Sequence, residues 1–329
     1  MSQNLAADET LDRSQGPLNS NTRAGKRAAR TTWTEMRKAW QAYALLAPTF
    51  LMLIVFMYYP PILGLIRSFF EWAPGTDATY VGLSNFRAYF AYPETPREIS
   101  NMGKLILFGL FSNMVVPFVM AEMIYSVRSM VAKGFYRLLI IIPMLTPGLV
   151  TILLWKHIYD PKFGPVHTLL SAVGLDALAL NWLGEPSTAL YAIMGVGFPW
   201  VSSIGTLIYL GGLAQISASI YDSCLLDGCT GLRRVLRIDL PLVLGQVRLL
   251  AILAVIHGLT AFNTILVLTD GGPGFVTTVP GLTMYKRAFL TQQFGYGSAI
   301  GLMLFVIAMV LTLTVNRSVR PFGEDEAGR

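Results

Sequence analysis

Few residues in this 329-residue chain could do covalent or acid–base chemistry. It has three histidines and two cysteines, Cys224 and Cys229, in one short segment. Two cysteines make no disulfide scaffold, and three histidines make no cluster with metal-ligand spacing. No G-x-x-x-x-G-K-[ST] loop is present, so nucleotide phosphate is not bound by that route. A membrane enzyme would need clustered His, Asp or Glu at a helix end, and none is present. What the apolar segments do carry is a thin scatter of hydrogen-bonding and aromatic groups. Trp200 follows Pro199, and His257, Thr260 and Thr264 share one helix face beside Asn263. Such groups bind a polar solute or bond to neighbouring helices; they do not make or break bonds.

The elements that hold these groups are set by composition. Hydrophobic residues make up 53% of the chain and charged residues 13%, about half the charge of a soluble domain. A soluble fold has no use for that much apolar surface, and disorder requires the opposite bias. The fold class is therefore all-α integral membrane. Six segments reach the ~20 apolar residues that a spanning helix needs: 42–70, interrupted at Pro60-Pro61; 105–125; 138–155, with Pro143 and Pro147; 189–210, with Pro199; 242–269, opening after Pro241; and 299–315. Residues 1–41 form a polar tail, disordered to about Thr31 with a short interfacial helix over 33–40. Residues 42–316 form the membrane domain, and 317–329 a C-terminal tail. The net charge of +6 comes from base flanking the apolar blocks, which argues for membrane topology and against a nucleic-acid partner. With the N-terminus inside, 17 of the 25 Lys and Arg fall on the cytoplasmic side. Both termini are expected in the cytoplasm of a multi-pass protein of the cell (inner or plasma) membrane, surrounded by lipid.

The spans hold almost no ionisable groups. Glu122 near the inner end of the second and Arg248 near that of the fifth read as snorkelling to the interface. The longest cytoplasmic loop separates spans four and five. In it Ser219 and Asp222 have capping-box spacing, residues 220–227 make two turns, and Gly228 can take the left-handed conformation that ends a helix. A second helix begins near Leu232 and carries Arg233, Arg234 and Arg237, ending at Pro241. By physics alone this is a helical hairpin at the membrane surface.

This loop resembles the EAA loop of ABC importer permeases. Asp222 stands at the Glu, Ser223 and Cys224 at the two Ala, Asp227-Gly228 at the Asp-Gly, and Ile238-Asp239-Leu240-Pro241 at the end. Other segments resemble the carbohydrate-uptake branch, the maltose and glycerol-phosphate type. They include Val81-Gly82-Leu83-Ser84-Asn85-Phe86, Tyr159-Asp160-Pro161, Asn181-Trp182-Leu183, Gly212-Leu213-Ala214-Gln215-Ile216 and Leu268-Thr269-Asp270-Gly271-Gly272-Pro273-Gly274. The likeness runs from about residue 42 to 316. Gly195 and Ser217 depart from it, standing where tryptophan and proline are usual.

The resemblance implies six transmembrane helices with a cytoplasmic coupling helix between helices four and five. Tyr221, Asp222, Ser223, Cys224, Asp227 and Gly228 would meet the ATPase. It implies a sugar path along Met144, Gly148, Gly197, Trp200, His257, Thr260, Ala261 and Asn263, with Trp200 as aromatic plate and His257, Thr260 and Asn263 as polar edges. Met144, Gly148 and Ala261 stand where family members place longer or more polar pocket groups, so the partner subunit or the external binding protein could do the selecting instead. The implied partners are a second permease subunit, two ATPase subunits and an external substrate-binding protein. No cofactor is expected on this chain, and ATP and Mg belong to the ATPase subunits. The alternative function is a stand-alone secondary transporter or channel for a small polar solute, whose marker would be paired carboxylates within the spans.

Overall fold

The computed structural model describes residues 38–319. The 1–41 tail with its proposed interfacial helix, and the 317–329 tail, fall almost wholly outside these residues. The chain divides into two units, one ending at Ile62 and one beginning at Leu63.

The first candidate span, α1 (Trp40–Arg67), is not interrupted at Pro60-Pro61 as the sequence suggested. A π-helical stretch, Leu53–Tyr58, precedes the two prolines, and the Tyr59 N–H reaches back to the Ile54 carbonyl. This widened turn is how the helix absorbs two consecutive residues that have no N–H to donate.

In the second unit a two-residue antiparallel pair, β1 (Phe70–Glu71) with β2 (Thr79–Tyr80), leads into the short helix α2 (Ser84–Ala91). Helix α3 (Thr95–Ser126) is ten residues longer at its start than the apolar run, because Pro96 opens it and polar residues of its first turns are buried. At 32 residues it is about 48 Å long.

The third span is bent. Helix α4 (Met130–Ile141) runs into a 3₁₀ turn, Ile142–Leu145, and α5 (Gly148–Ile158) leaves at 87°. Pro147 forces Thr146 into the extended region, which ends any helix there. Helix α6 (Pro165–Ala172) follows. The expected continuous fourth span is instead two helices, α7 (Ala189–Gly195) and α8 (Ser203–Leu213). Between them Gly197 has φ +80° and Pro199 lacks a donor, and the Ser202 side chain then caps α8 by accepting from the Gly205 N–H at 3.1 Å.

After α8 come α9 (Ala218–Leu226), α10 (Leu232–Leu242) and α11 (Leu244–Thr260), with bends of 74° and 71° at the α8–α9 and α10–α11 joints. Ala261 breaks the fifth span, and α12 (Phe262–Leu268) completes it. Helices α13 (Pro280–Tyr285) and α14 (Phe294–Ser318) end the described chain. Helices α1, α3 and α14 are long and apolar enough to cross a membrane, and three bent pairs pass the same test, giving up to six crossings among the described residues.

Helix α3 is the spine of the second unit. One buried cluster gathers Met102 and Ile106 with Val255, Leu259, Ile265 and Leu282; a second gathers Ala121 and Ile124 with Tyr209, Leu213, Val247 and Leu250. Gly258 lets α11 close on α3, since a Cβ there would meet Ile106 Cα at 3.0 Å. Most remaining large apolar side chains face outward, as on Leu107, Phe111 and Val306, which suits lipid as solvent.

Candidate functional site

Beside the first buried cluster, whose Ile193 lines it, lies a cavity of about 920 Å³. Its wall comes from the middle of α3 (Phe108, Ser112, Asn113), the start of α5 (Gly148), the α7–α8 break (Gly197, Trp200, Ser202), and the α11–α12 joint (His257, Thr260, Ala261, Asn263, Thr264). The α4–α5, α7–α8 and α11–α12 breaks all open onto it. Irregular backbone at membrane depth is tolerated where it lines such a space.

Seven of the eight residues expected on the sugar path line this one cavity: Gly148, Gly197, Trp200, His257, Thr260, Ala261 and Asn263. Met144 does not. The turn between Pro143 and Pro147 leaves it 56% exposed and off the wall. The sequence reading missed Phe108, Ser112, Asn113 and Ser202. Ser112-Asn113 inside an otherwise apolar run was the available signal.

Trp200 is rigidly held. It has φ +56°, its indole N–H donates to the Met194 carbonyl at 2.9 Å, and it lies edge-to-face with Phe108 and Phe198 at 5.2 and 5.0 Å. With its N–H already used, it offers ring surface rather than a hydrogen bond. Its positive φ is the kind of local strain found at functional positions. His257 Nδ1 lies 3.1 Å from the Leu253 carbonyl, which can only accept, so Nδ1 donates that bond. The Thr260 hydroxyl bonds back to the Ile256 carbonyl at 2.9 Å and keeps its lone pairs for a ligand. Among the described residues, no Asp, Glu, Lys or Arg lines the cavity. Its chemistry is hydrogen bonding and apolar contact without charge.

At the N-terminal end of α3 the glycine-rich loop 269–279 is tied down. Asn101 donates to the Val276 and Thr278 carbonyls at 2.8 and 2.9 Å. Glu98, 1% exposed, accepts from the Thr283 and Tyr89 hydroxyls at 2.6 and 3.0 Å. Burial, then the Glu98 charge, raise the Tyr89 phenol far above its usual range, so it stays a donor. Gly271, at φ +89°, is required here, since a Cβ would meet Thr278 Oγ1 at 2.6 Å. In the Tyr-Asp-Pro turn, the N–H groups of Phe163 and Lys162 hold the Asp160 carboxyl below the usual carboxylate range.

At the C-terminal end of α3 sits the loop of α9 and α10. The sequence placed the cap of α9 at Ser219. It lies at Ser217 and makes no side-chain cap bond; Ser219 is already in the first turn, where its carbonyl accepts from Ser223 Oγ. The far end is as expected. Gly228 has φ +65°, its N–H bonds to the Leu225 carbonyl and that of Cys229 to the Cys224 carbonyl, a complete Schellman stop. Asp222, Ser223, Asp227 and Gly228 are exposed, whereas Cys224 is buried and donates to the Cys229 carbonyl. Tyr221 faces inward and its hydroxyl donates to Asp239 Oδ1 at 2.9 Å.

Glu122 does not snorkel. It is 7% exposed and pairs with Arg234 Nη2 at 3.1 Å, while Arg234 Nε pairs with the fully buried Asp239 at 2.8 Å. The guanidinium also lies over the Tyr221 ring at 5.6 Å. The sequence hid this cluster, because Glu122 lies 112 positions before Arg234.

No family model matches the chain. Curated relatives do. The probable ABC transporter permease protein YurN of Bacillus subtilis is 27% identical over 82% of this chain and 93% of its own length. The multiple sugar-binding transport system permease protein MsmF of Streptococcus mutans is 28% identical over 84% and 94%. The sulfoquinovosyl glycerol transport system permease protein SmoG of Agrobacterium fabrum is 27% identical over 88% and 94%. Among solved structures, a chain of a bacterial ABC transporter that imports the acidic polysaccharide alginate superposes with a TM-score of 0.77 at 23% identity, covering 89% of this chain and all of that one. The fold is thus that of an ABC importer subunit. In sequence the chain is similar, over more than four fifths of its length, to the permease subunits of sugar ABC importers.

Proposed function

We propose that this chain is a permease subunit of a binding-protein-dependent ABC importer and forms one wall of the path for an uncharged sugar or sugar-like solute. The observation that carries this reading is the cavity. A sugar presents hydroxyls and apolar ring faces, and the cavity supplies a fixed aromatic plate with hydroxyl, amide and imidazole partners. A carboxylate or phosphate entering it would lose water without meeting a cation on this wall, at a cost of several kcal/mol. A secondary transporter of this kind would be expected to carry an ion-coupling carboxylate at that depth.

The remaining assignments follow the same reading. Six crossings would place both termini and α9 in the cytoplasm of the cell-membrane bilayer. Helix α9 would be the coupling helix, with Asp222, Ser223, Asp227 and Gly228 meeting an ATPase subunit, and Tyr221 and Cys224 anchoring it from beneath. A second permease would close the cavity, and a binding protein would dock on the opposite face near loop 269–279. Mg-ATP would be hydrolysed on the ATPase pair.

The test is uptake in whole cells with and without this chain. Neutral sugars (glucose, maltose, trehalose, cellobiose, raffinose) are compared with glucuronate, galacturonate, glucose 6-phosphate and glycerol 3-phosphate. Loss of ATP-dependent uptake of a neutral sugar is the expected result. Loss confined to an anionic solute would overturn the uncharged-substrate assignment, and uptake driven by an ion gradient would overturn the importer reading.

A further inference from the structure

Helix α3 touches all three functional regions. Its first turns hold the glycine-rich loop through Glu98 and Asn101, its middle forms the cavity wall through Phe108, Ser112 and Asn113, and Glu122 near its end holds Arg234. The two buried carboxylates, Glu98 and Glu122, lie 24 positions apart, about 36 Å along one rod.

Among the described residues, a forked ionic link joins this rod to the surface loop. Arg234, on α10, gives Nη2 to Glu122 of α3 and Nε to Asp239 of its own helix. Tyr221, on α9, completes the cluster by donating to the second oxygen of Asp239 and lying beneath the guanidinium. All four groups are wholly or partly buried, so the link is little screened by solvent. Glu122 Oε1 is buried and takes no hydrogen bond in this arrangement.

We propose that Arg234 is the positioning residue that ties movement of α9 and α10 to α3, and hence to the cavity wall. This rests on the importer reading, in which α9 receives the stroke of the ATPase. A guanidinium can hold two carboxylates at fixed angles, whereas an ammonium is a point charge and cannot keep both. Breaking the fork lets the loop move without taking α3 along.

The experiment uses the assembled importer, purified through a tag on this chain and reconstituted in vesicles. One readout is sugar moved per ATP hydrolysed, with the neutral sugar that the uptake panel selects. A second needs no sugar: Asn113→Cys places a thiol on the cavity wall of α3, and its labelling by a methanethiosulfonate reagent is followed by peptide mass spectrometry with and without ATP and vanadate. In an otherwise unaltered chain that labelling responds to nucleotide. With Arg234→Lys the response is lost, and sugar moved per ATP falls about 10-fold, within the ~2- to 30-fold span of couplings carried through packed elements. Glu122→Gln behaves alike, and the double variant is no worse than either single one, because both cut the same link. Tyr221→Phe, which keeps the ring and removes one donor, gives a smaller loss in the same direction.

Normal sugar per ATP and normal nucleotide response in Arg234→Lys and Glu122→Gln overturn the tie while leaving the importer reading intact. Failure of Arg234→Lys to assemble, with Tyr221→Phe fully coupled, assigns the cluster a structural role only and also overturns it. An unaltered complex that moves sugar without ATP brings down the importer reading and the tie together.

Discussion

Trp200 and Gly228 do opposite things with the same backbone region. Both have positive φ, which glycine adopts freely and tryptophan does not. At Gly228 the conformation is the point, since nothing lies within 4 Å of where a Cβ would be. A substitution there meets no neighbour and is felt only through the backbone. Gly228→Val is therefore expected to weaken the Schellman stop by roughly 1 kcal/mol or more, and Gly228→Asn by much less, because asparagine tolerates the left-handed region. Co-purification of the ATPase with each variant, alongside uptake, reads this out: Val loses both, Asn keeps most of both. Equal behaviour of the two would mean that the turn is not what matters.

At Trp200 the side chain is the point. The strained φ persists because the indole bond to Met194 and two aromatic neighbours hold it. Trp200→Phe keeps a ring and drops one hydrogen bond worth about 1 kcal/mol, so its apparent KM for sugar rises only a few-fold. Trp200→Ala removes the plate and should raise KM far more while the protein still reaches the membrane. A KM unchanged in Trp200→Ala would remove this residue from the path.

On the scale of elements, the breaks matter more than the helices. Each interrupted span (α4–α5, α7–α8, α11–α12) frees backbone groups and small residues at cavity depth, while unbroken α3 provides the rod against which they are arranged. The glycine-rich loop depends on α3 in turn. Asn101→Leu leaves the Val276 and Thr278 carbonyls without their donor, which should cost ~1–3 kcal/mol of local stability. Limited proteolysis in detergent is expected to cut the 269–279 segment faster in this variant, with the rest of the chain protected as before. An unchanged cleavage pattern would show that the loop is held by its internal threonine bonds alone.

For the whole molecule, the strongest expectation is sidedness. The 17-to-8 split of base predicts that the α3–α4 and α9–α10 turns face the cytoplasm. Reporter fusions at Ser129 and at Asn85 should report opposite sides of the membrane, and the same side for both would refute the six-crossing arrangement. Asn85 donates to the Ser68 and Phe70 carbonyls, so the reporter belongs in the adjacent turn without replacing that side chain.

The sequence by itself determined that this is a helical membrane protein, because the bilayer demands long apolar runs and composition answers to that demand alone. It also determined the Gly228 stop and the membership of seven cavity residues, since glycine conformation and segment likeness are local properties. Tertiary structure decided the rest. Whether a proline breaks a span depends on whether a widened turn can absorb it, as before Pro60, or a cap waits beyond it, as Ser202 does after Pro199. Whether Met144 reaches the wall depends on a bend at Pro147 that no periodicity announces. Whether Glu122 meets water or Arg234 depends on two helices more than a hundred residues apart being brought together by apolar packing. Charge pairing acts over ångströms in space and has no signature along the chain, so only the fold could reveal it.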